Sequence, residues 1–344
     1  MLYYIVGSII VGIITFYLFS PRHNSVCGLD HPANVYNRWR RLKNSFSYEQ
    51  FLQQISPIEN PKTYKKVLDD ALKLKNQQEK HAEGIILLEK VVTTAKDLTK
   101  KKDPLGKEIL DYINSIKDLK VLFNESVQYH DLMDAFFNDD GWTVDKDLLY
   151  NVEYSYRTKG RTLKSRKFIK IVDLPILNVA TRCEEIELFN TWKWYQNGKI
   201  IKTETSKGTI LCSIISILSR FVVLNRAAYC WKINYKLPDG SVIIAYNGAN
   251  NRQSDYDLPP LPKGFAYPDI FYHAFRLIPL TPTKTILISV MESDPKIWFY
   301  TKEMFIRTAK KFGCRELKLI DEHAGVISGT PYEAKLSKSF YKGL

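Results

Sequence analysis

From Gly141 onward the sequence alternates β-rich runs with turns, and this constrains the fold more than any other feature. About eight stretches qualify as strands by their β-branched and aromatic content: "LLYNVEYSYR", "RTLKSRKFIKIV", "KIIKTET", "GTILCSIISI", "AAYCWKINYKL", "SVIIAYNG", "FYHAFRLIPL" and "KTILISVMES". Hairpin-like connections join most of them, Pro238-Asp239-Gly240 being the plainest. Two helices are expected among them. One covers roughly Ile176 to Leu188. The other follows the last strand, with Asp294 as N-cap, Pro295 in the first helical position, and Lys310 and Lys311 at its negative end. Gly313 is expected to stop it. Ile297, Thr301, Met304, Phe305, Thr308 and Phe312 share one of its faces. Hairpin-joined strands closed by a long helix predict an α+β fold: a curved antiparallel sheet packed by a C-terminal helix.

No strand signal precedes Gly141. Val67, Leu68, Ala71 and Leu72 mark one helical face, Ile85, Leu88, Val92 and Ala95 a second, and Ile109, Tyr112, Ile116 and Leu119 a third. "TKKKDPLG" separates the second from the third. A small helical bundle over 61–123 follows. Its spacing resembles the three-helix domain of microtubule-interacting and trafficking (MIT) proteins. "DYINSIKDL" is similar to that family's third helix, with Tyr112 and Leu119 on it. Leu88 and Ser115 depart from that family's tyrosine and arginine. The other reading is a generic helical spacer.

The chain opens on "MLYYIVGSIIVGIITFYLFSPRH". As a helix, Leu2 to Phe19 would span roughly 27 Å, close to a bilayer's apolar thickness of roughly 30 Å. No lysine or arginine precedes the run, and Tyr17-Leu18-Phe19 is a poor cleavage context, so residues 1–20 read as a transmembrane anchor rather than a cleaved signal. Tyr3, Tyr4 and Tyr17 suit interfacial belts. Arg22, Arg38, Arg40, Arg41 and Lys43 lie beyond it and put the bulk of the chain on the cytosolic side. The expectation is a single-pass protein of the endoplasmic reticulum or a mitochondrial membrane. Residues 21–60 form a basic juxtamembrane segment, either resting on anionic headgroups or serving as a solvated connector.

Composition narrows the function. With 344 residues and 45% hydrophobic content, the chain has material for a large core. Cys27, Cys183, Cys212, Cys230 and Cys314 are scattered, without a paired metal spacing or a disulfide framework. The net charge of +13 suits nucleic acid, an anionic membrane or an acidic partner. Its lysines are spread along the chain and no RNA-binding signature accompanies them, so nucleic acid is not expected. There is no G-x-x-x-x-G-K-[ST], no G-x-S-x-G and no H-E-x-x-H. Histidines 23, 31, 81, 130, 273 and 323 are isolated. Neither catalysis nor a metal or other cofactor is expected.

From about Glu125 to Gly313 the order of elements resembles the StAR-related lipid-transfer (START) domain, a helix-grip fold. "TLKSRKFIKIVDLPILNV" looks like that family's third strand entering its helix through a proline, and "EIELFNTWKWY" like the tryptophan-marked turn after it. "SRFVVLNRAAYCWKINYKLPDGSVIIAYNG" and "FRLIPLTPTKTILISVMESDPK" are similar to its central strands and its final hairpin. The sequence departs at Ala227, where the family often has aspartate after the arginine, and lacks a glycine after Asp294-Pro295-Lys296.

The resemblance implies a START-like lipid-binding domain over 124–316, followed by a tail over 317–344. It also implies one lipid, phospholipid or sterol, held in an apolar cavity. Arg226 and His273 become candidates for headgroup contact. Phe275, Leu287, Ser289, Met291, Thr301, Met304 and Phe305 become candidate lining residues, and Phe221, Val222, Val223 and Leu224 a loop that touches the bilayer. The expected function is membrane-anchored lipid binding and transfer. The alternative is a non-catalytic subunit of a membrane complex whose cavity is filled with side chains.

Overall fold

A computed structural model describes residues 31–42, 48–75, 80–159, 162–191, 195–204, 208–215, 225–237, 239–249, 258, 260, 263–266, 269–294, 301–342 and 344. The expected anchor over 1–20 and the loop of Phe221, Val222, Val223 and Leu224 lie outside the described residues. Among the described residues, no helix is long and apolar enough to cross a membrane.

The strands are β1 (Thr143–Val144), β2 (Glu153–Lys159), β3 (Thr162–Val172), β4 (Tyr195–Glu204), β5 (Gly208–Ile215), β6 (Asn225–Lys236), β7 (Val242–Gly248), β8 (Phe265–Ala266), β9 (Asp269–Thr281) and β10 (Lys284–Asp294). They form one sheet in the order β1-β2-β3-β10-β9-β7-β6-β5-β4, antiparallel throughout, with the short β8 parallel to β6. All eight expected strands are present. β1 and β8 are two residues each, too short to show a period. The β6–β7 hairpin closes through Gly240, whose φ of 79° is the left-handed turn conformation that glycine adopts freely.

Six helices cover one face of the sheet, called here the outer face: α1 (Pro32–Leu42), α2 (Tyr48–Gln53), α3 (Tyr64–Lys75), α4 (His81–Lys100), α5 (Pro104–Ser115) and α6 (Lys117–Phe137). Asp103 caps α5 by accepting the Leu105 N–H at 2.9 Å, and Pro104 opens it. Leu68, Leu88, Ile109 and Leu122 share one core with Trp231 and Ile233 of β6 and Ile286, Ile288 and Val290 of β10. The bundle is therefore not a free-standing spacer. A sheet apolar on both faces needs cover on both, and the bundle supplies it here. Nor is "DYINSIKDL" one helix. α5 ends at Ser115 and α6 begins at Lys117, with Ile116 extended between them, so Tyr112 and Leu119 sit on different helices. The basic segment is also part of the fold, because Tyr36 and Trp39 of α1 are buried in the same core.

The opposite, inner face carries α7 (Ile176–Glu184) and α8 (Lys302–His323). Val179, Ala180 and Cys183 of α7 and Cys314, Leu317 and Ile320 of α8 join Phe168, Ile244, Phe275 and Leu287 in a second core. Phe340 and Tyr341, beyond α8, complete it. The closing helix departs from expectation at both ends. Asp294 is the last residue of β10, the expected Pro295 and Ile297 lie outside the described residues, and Thr301 is the N-cap, accepting the Met304 N–H at 3.2 Å. Gly313 does not stop α8 but lies inside it, where the helix touches the ring of Phe168.

Candidate functional site

Strand register sorts the inner face into rows. Tyr156, Arg166, Met291, His273, Tyr246 and Lys232 are successive cross-strand partners on β2, β3, β10, β9, β7 and β6. The next row is Tyr154, Phe168, Ser289, Phe275, Ile244 and Asn234. A third contains Lys170, Leu287, Leu277 and Val242. The first row is polar and the other two are mostly apolar, an arrangement that gives a bound amphiphile an orientation.

His273, 9% exposed, connects the sheet to the closing helix. Its Nε2 lies 3.4 Å from Ser289 Oγ and 3.4 Å from Glu316 Oε2 of α8, and its ring lies 4.7 Å from that of Phe275. Serine and carboxylate share one nitrogen, whereas a serine–histidine–acid relay uses the two nitrogens separately. This is a positioning cluster and not a nucleophile. Tyr246 donates its hydroxyl to the carbonyl oxygens of Cys183 and Glu184 at the end of α7, and Lys232 pairs with the Glu184 carboxylate. Burial pushes the Tyr246 hydroxyl and the Cys183 thiol well up, and burial likewise takes Cys314 to about 12. These groups stay protonated and inert near neutral pH. The C-terminal segment ties down the same corner: Lys338 Nζ is 2.7 Å from both Glu185 carboxylate oxygens, and the Tyr341 hydroxyl donates to Oε1 at 2.7 Å.

Several buried polar atoms on this face have no hydrogen-bond partner: Arg166 Nε, Tyr154 Oη and Asn234 Oδ1 of the rows, and Glu184 Oε2 of α7. Each such atom costs about 1–3 kcal/mol when left unsatisfied.

The expected lining residues are partly brought together. Phe275, Leu287 and Ser289 are fully buried on the inner face beside His273, and Met291 is half-buried in the polar row. Met304 and Phe305 are half-buried on the first turn of α8, with Phe305 5.2 Å beneath the Arg166 guanidinium. Thr301 is exposed and serves as the cap. Arg226 is the second residue of β6, and its side chain lies outside the described residues. Sequence reasoning missed Arg166, Tyr246, Lys232, Glu184 and Glu316. For Arg166 a signal existed. "SRKFIK" puts Arg166, Phe168 and Lys170 on one face of a strand covered on both sides, so two cations had to be buried.

The chain is similar to solved structures of lipid-transfer proteins. Human StAR-related lipid transfer protein 5 is 16% identical, with a TM-score of 0.50 over 60% of this chain and 99% of that one. Human STARD10 is 14% identical, with a TM-score of 0.49 over 57% and 78%. A STAR-related lipid transfer protein fragment from Xanthomonas axonopodis is 17% identical, with a TM-score of 0.44 over 54% and 99%. No family model matches the chain, and no curated protein matches it. At these identities the likeness speaks for the fold, and the fold of this chain is START-like: an antiparallel sheet gripping its C-terminal helix.

Proposed function

We propose that this chain is a non-catalytic lipid-binding module that holds one lipid between the inner face of its sheet and helices α7 and α8. The observation that carries this is the polar row of that face, from Tyr156 to Lys232, lying beside two mostly apolar rows. Polar groups beside apolar walls give a bound amphiphile its orientation. The START-like fold, shared with proteins named for lipid transfer, supports the same reading. In this proposal residues 2–19 hold the module at a membrane of the endoplasmic reticulum or mitochondrion, with its bulk in the cytosol, and the lipid passes to or from a nearby bilayer.

The described cores begin at Tyr36, so a form lacking residues 1–20 retains every residue of both. Mass spectrometry of organic extracts from that form should find lipid at near one per protein. A purified form without lipid, together with a full-length chain recovered in fixed ratio with membrane subunits, would favour the structural-subunit alternative instead. Protease added to intact organelles should remove the domain beyond residue 130. Full protection would reverse the proposed orientation.

A further inference from the structure

We infer that Arg166 is an anion-binding residue, and that the lipid taken by this module carries a phosphate or carboxylate that pairs with its guanidinium. The inference deepens the lipid-binding reading and rests on it. Arg166 is 4% exposed on the inner face, between β3, the end of β10 and the first turn of α8. Its Nη2 donates to the carbonyl oxygen and hydroxyl of Ser293, Phe305 lies beneath its plane, and Nε has no partner. Among the described residues, no carboxylate comes within ion-pair distance of it.

Four other buried cations meet one, while Arg182 is held by the Val326 carbonyl and the ring of Tyr332. Lys232 pairs with Glu184, Lys170 with Asp321, Arg276 with Asp239 and Lys75 with Glu125. A buried charge left unpaired is expensive, and guanidinium cannot escape the cost by losing its proton. Two nearby acids, Glu292 and Asp294, act on it from beyond ion-pair distance. Glu292 Oε2 accepts from Ser165, whose hydroxyl also accepts from Tyr272 of the outer-face core, and Asp294 is exposed at the end of β10. Burial, as the largest influence, holds the Arg166 guanidinium below its ordinary value. The positive end of α8 begins within one turn of Phe305 and adds to the attraction for an anion. The planar fork of arginine matches both phosphate and carboxylate oxygens. Phe168, Phe275 and Leu287 of the neighbouring rows offer the apolar walls for the rest of the molecule.

The test uses the full-length chain in detergent, equilibrated with vesicles of phosphatidylcholine doped with phosphatidic acid, oleate or diacylglycerol, and native mass spectrometry of what it carries. Wild type should load phosphatidic acid or oleate about tenfold over diacylglycerol. The arm that loads identifies phosphate or carboxylate as the source of the anion. Arg166→Gln should lose that preference, and Arg166→Lys should keep part of it. Wild type that loads diacylglycerol as readily as both anionic lipids overturns the inference and leaves the lipid-binding reading standing, whatever the variants do. Wild type that loads nothing from any vesicle overturns both.

Discussion

Gly313 of α8 and Phe168 of β3 are in direct contact: a Cβ on Gly313 would fall 2.1 Å from Phe168 Cζ. The helix therefore lies as close to the sheet at this point as a backbone can. Phe168 is 3% exposed and stacked on Tyr154 at 5.0 Å, so its ring has nowhere to go. In a free helix Gly313→Ala gains about 1 kcal/mol of propensity. Here overpacking should outweigh that gain and leave a net loss of about 1–3 kcal/mol. Urea denaturation decides the sign, and adding Phe168→Leu should recover part of the loss. A Gly313→Ala protein more stable than wild type would mean the helix rides higher than described.

The outer face contains a buried charge cluster. Lys75 Nζ lies 3.1 Å and His81 Nε2 3.3 Å from Glu125 Oε2, and none of the three side chains is more than 3% exposed. Burial pushes the Glu125 carboxyl up, but Lys75 and His81 outweigh it and hold it at about 2. Its folded value lies below the ordinary 4.5, so its contribution is complete above about 4.5 and is lost as pH falls towards 2. Glu125→Gln strands Lys75 and should cost about 3–5 kcal/mol near neutral pH. The variant's stability should also lose its slope between pH 4.5 and 2. An unchanged acid limb would remove Glu125 as its cause.

That cluster shows where sequence reading stops. The strands were legible because β-branched and aromatic runs between turns report local geometry, and the helices because their apolar period does. Glu125 and Lys75 are ordinary surface residue types, and only the docking of α3, α4 and α6 on the sheet brings them together. Gly313 misled for a related reason. A glycine following two lysines is a sound stop signal in an isolated helix, while its actual cause is a ring on a strand 145 positions earlier. Of the site, the apolar residues of β9 and β10 could be named from alternation. The polar row could not, because it runs across strands and depends on register.

Glu153 should give the opposite pH dependence. On β2 its Oε2 lies 3.3 Å from His31 Nδ1, and burial raises its carboxyl to about 7 against the smaller downward pull of Lys167. A folded value above the ordinary 4.5 means stability is complete below about 4.5 and declines as pH rises through 7. Glu153→Gln should therefore flatten the stability profile between pH 5 and 8 and exceed wild type at pH 8. If the variant is weaker at pH 8, the carboxylate is being used in its charged form.

Asn247 of β7 is fully buried on the outer face with neither amide atom hydrogen-bonded. Replacing it by a side chain of the same branching removes the penalty without removing a bond. Asn247→Leu should raise stability by about 1 kcal/mol in urea titration. A loss larger than about 1–3 kcal/mol would instead report overpacking between β6 and β9.

Arg276 fastens α1 to the sheet and to α6. It is fully buried on β9, with Nε donating to Ser241 Oγ at 3.0 Å, Nη2 to the Asp239 carboxylate and Nη1 to the Tyr36 hydroxyl at 3.3 Å. The rings of Phe137 and Trp39 lie 4.4 and 5.7 Å from its guanidinium carbon. One side chain thus joins the β6–β7 hairpin, α6 and α1, and the basic segment beyond the apolar run is fastened to the domain. If residues 2–19 sit in a bilayer, only residues 20–30 separate them from His31, which is paired with Glu153, a span of at most about 40 Å fully extended. Of the two readings of the basic segment, the solvated connector does not fit its buried Tyr36 and Trp39. Trp39→Ala should destabilise the whole domain by about 3–5 kcal/mol in a single transition. Trypsin should spare residues 38–41 in the folded protein. Inserting twenty Gly/Ser residues after Ser25 should leave stability unchanged and widen the gap between donor and acceptor bilayers across which lipid is delivered. If Trp39→Ala leaves stability intact and trypsin cuts α1 freely, the segment is a solvated connector.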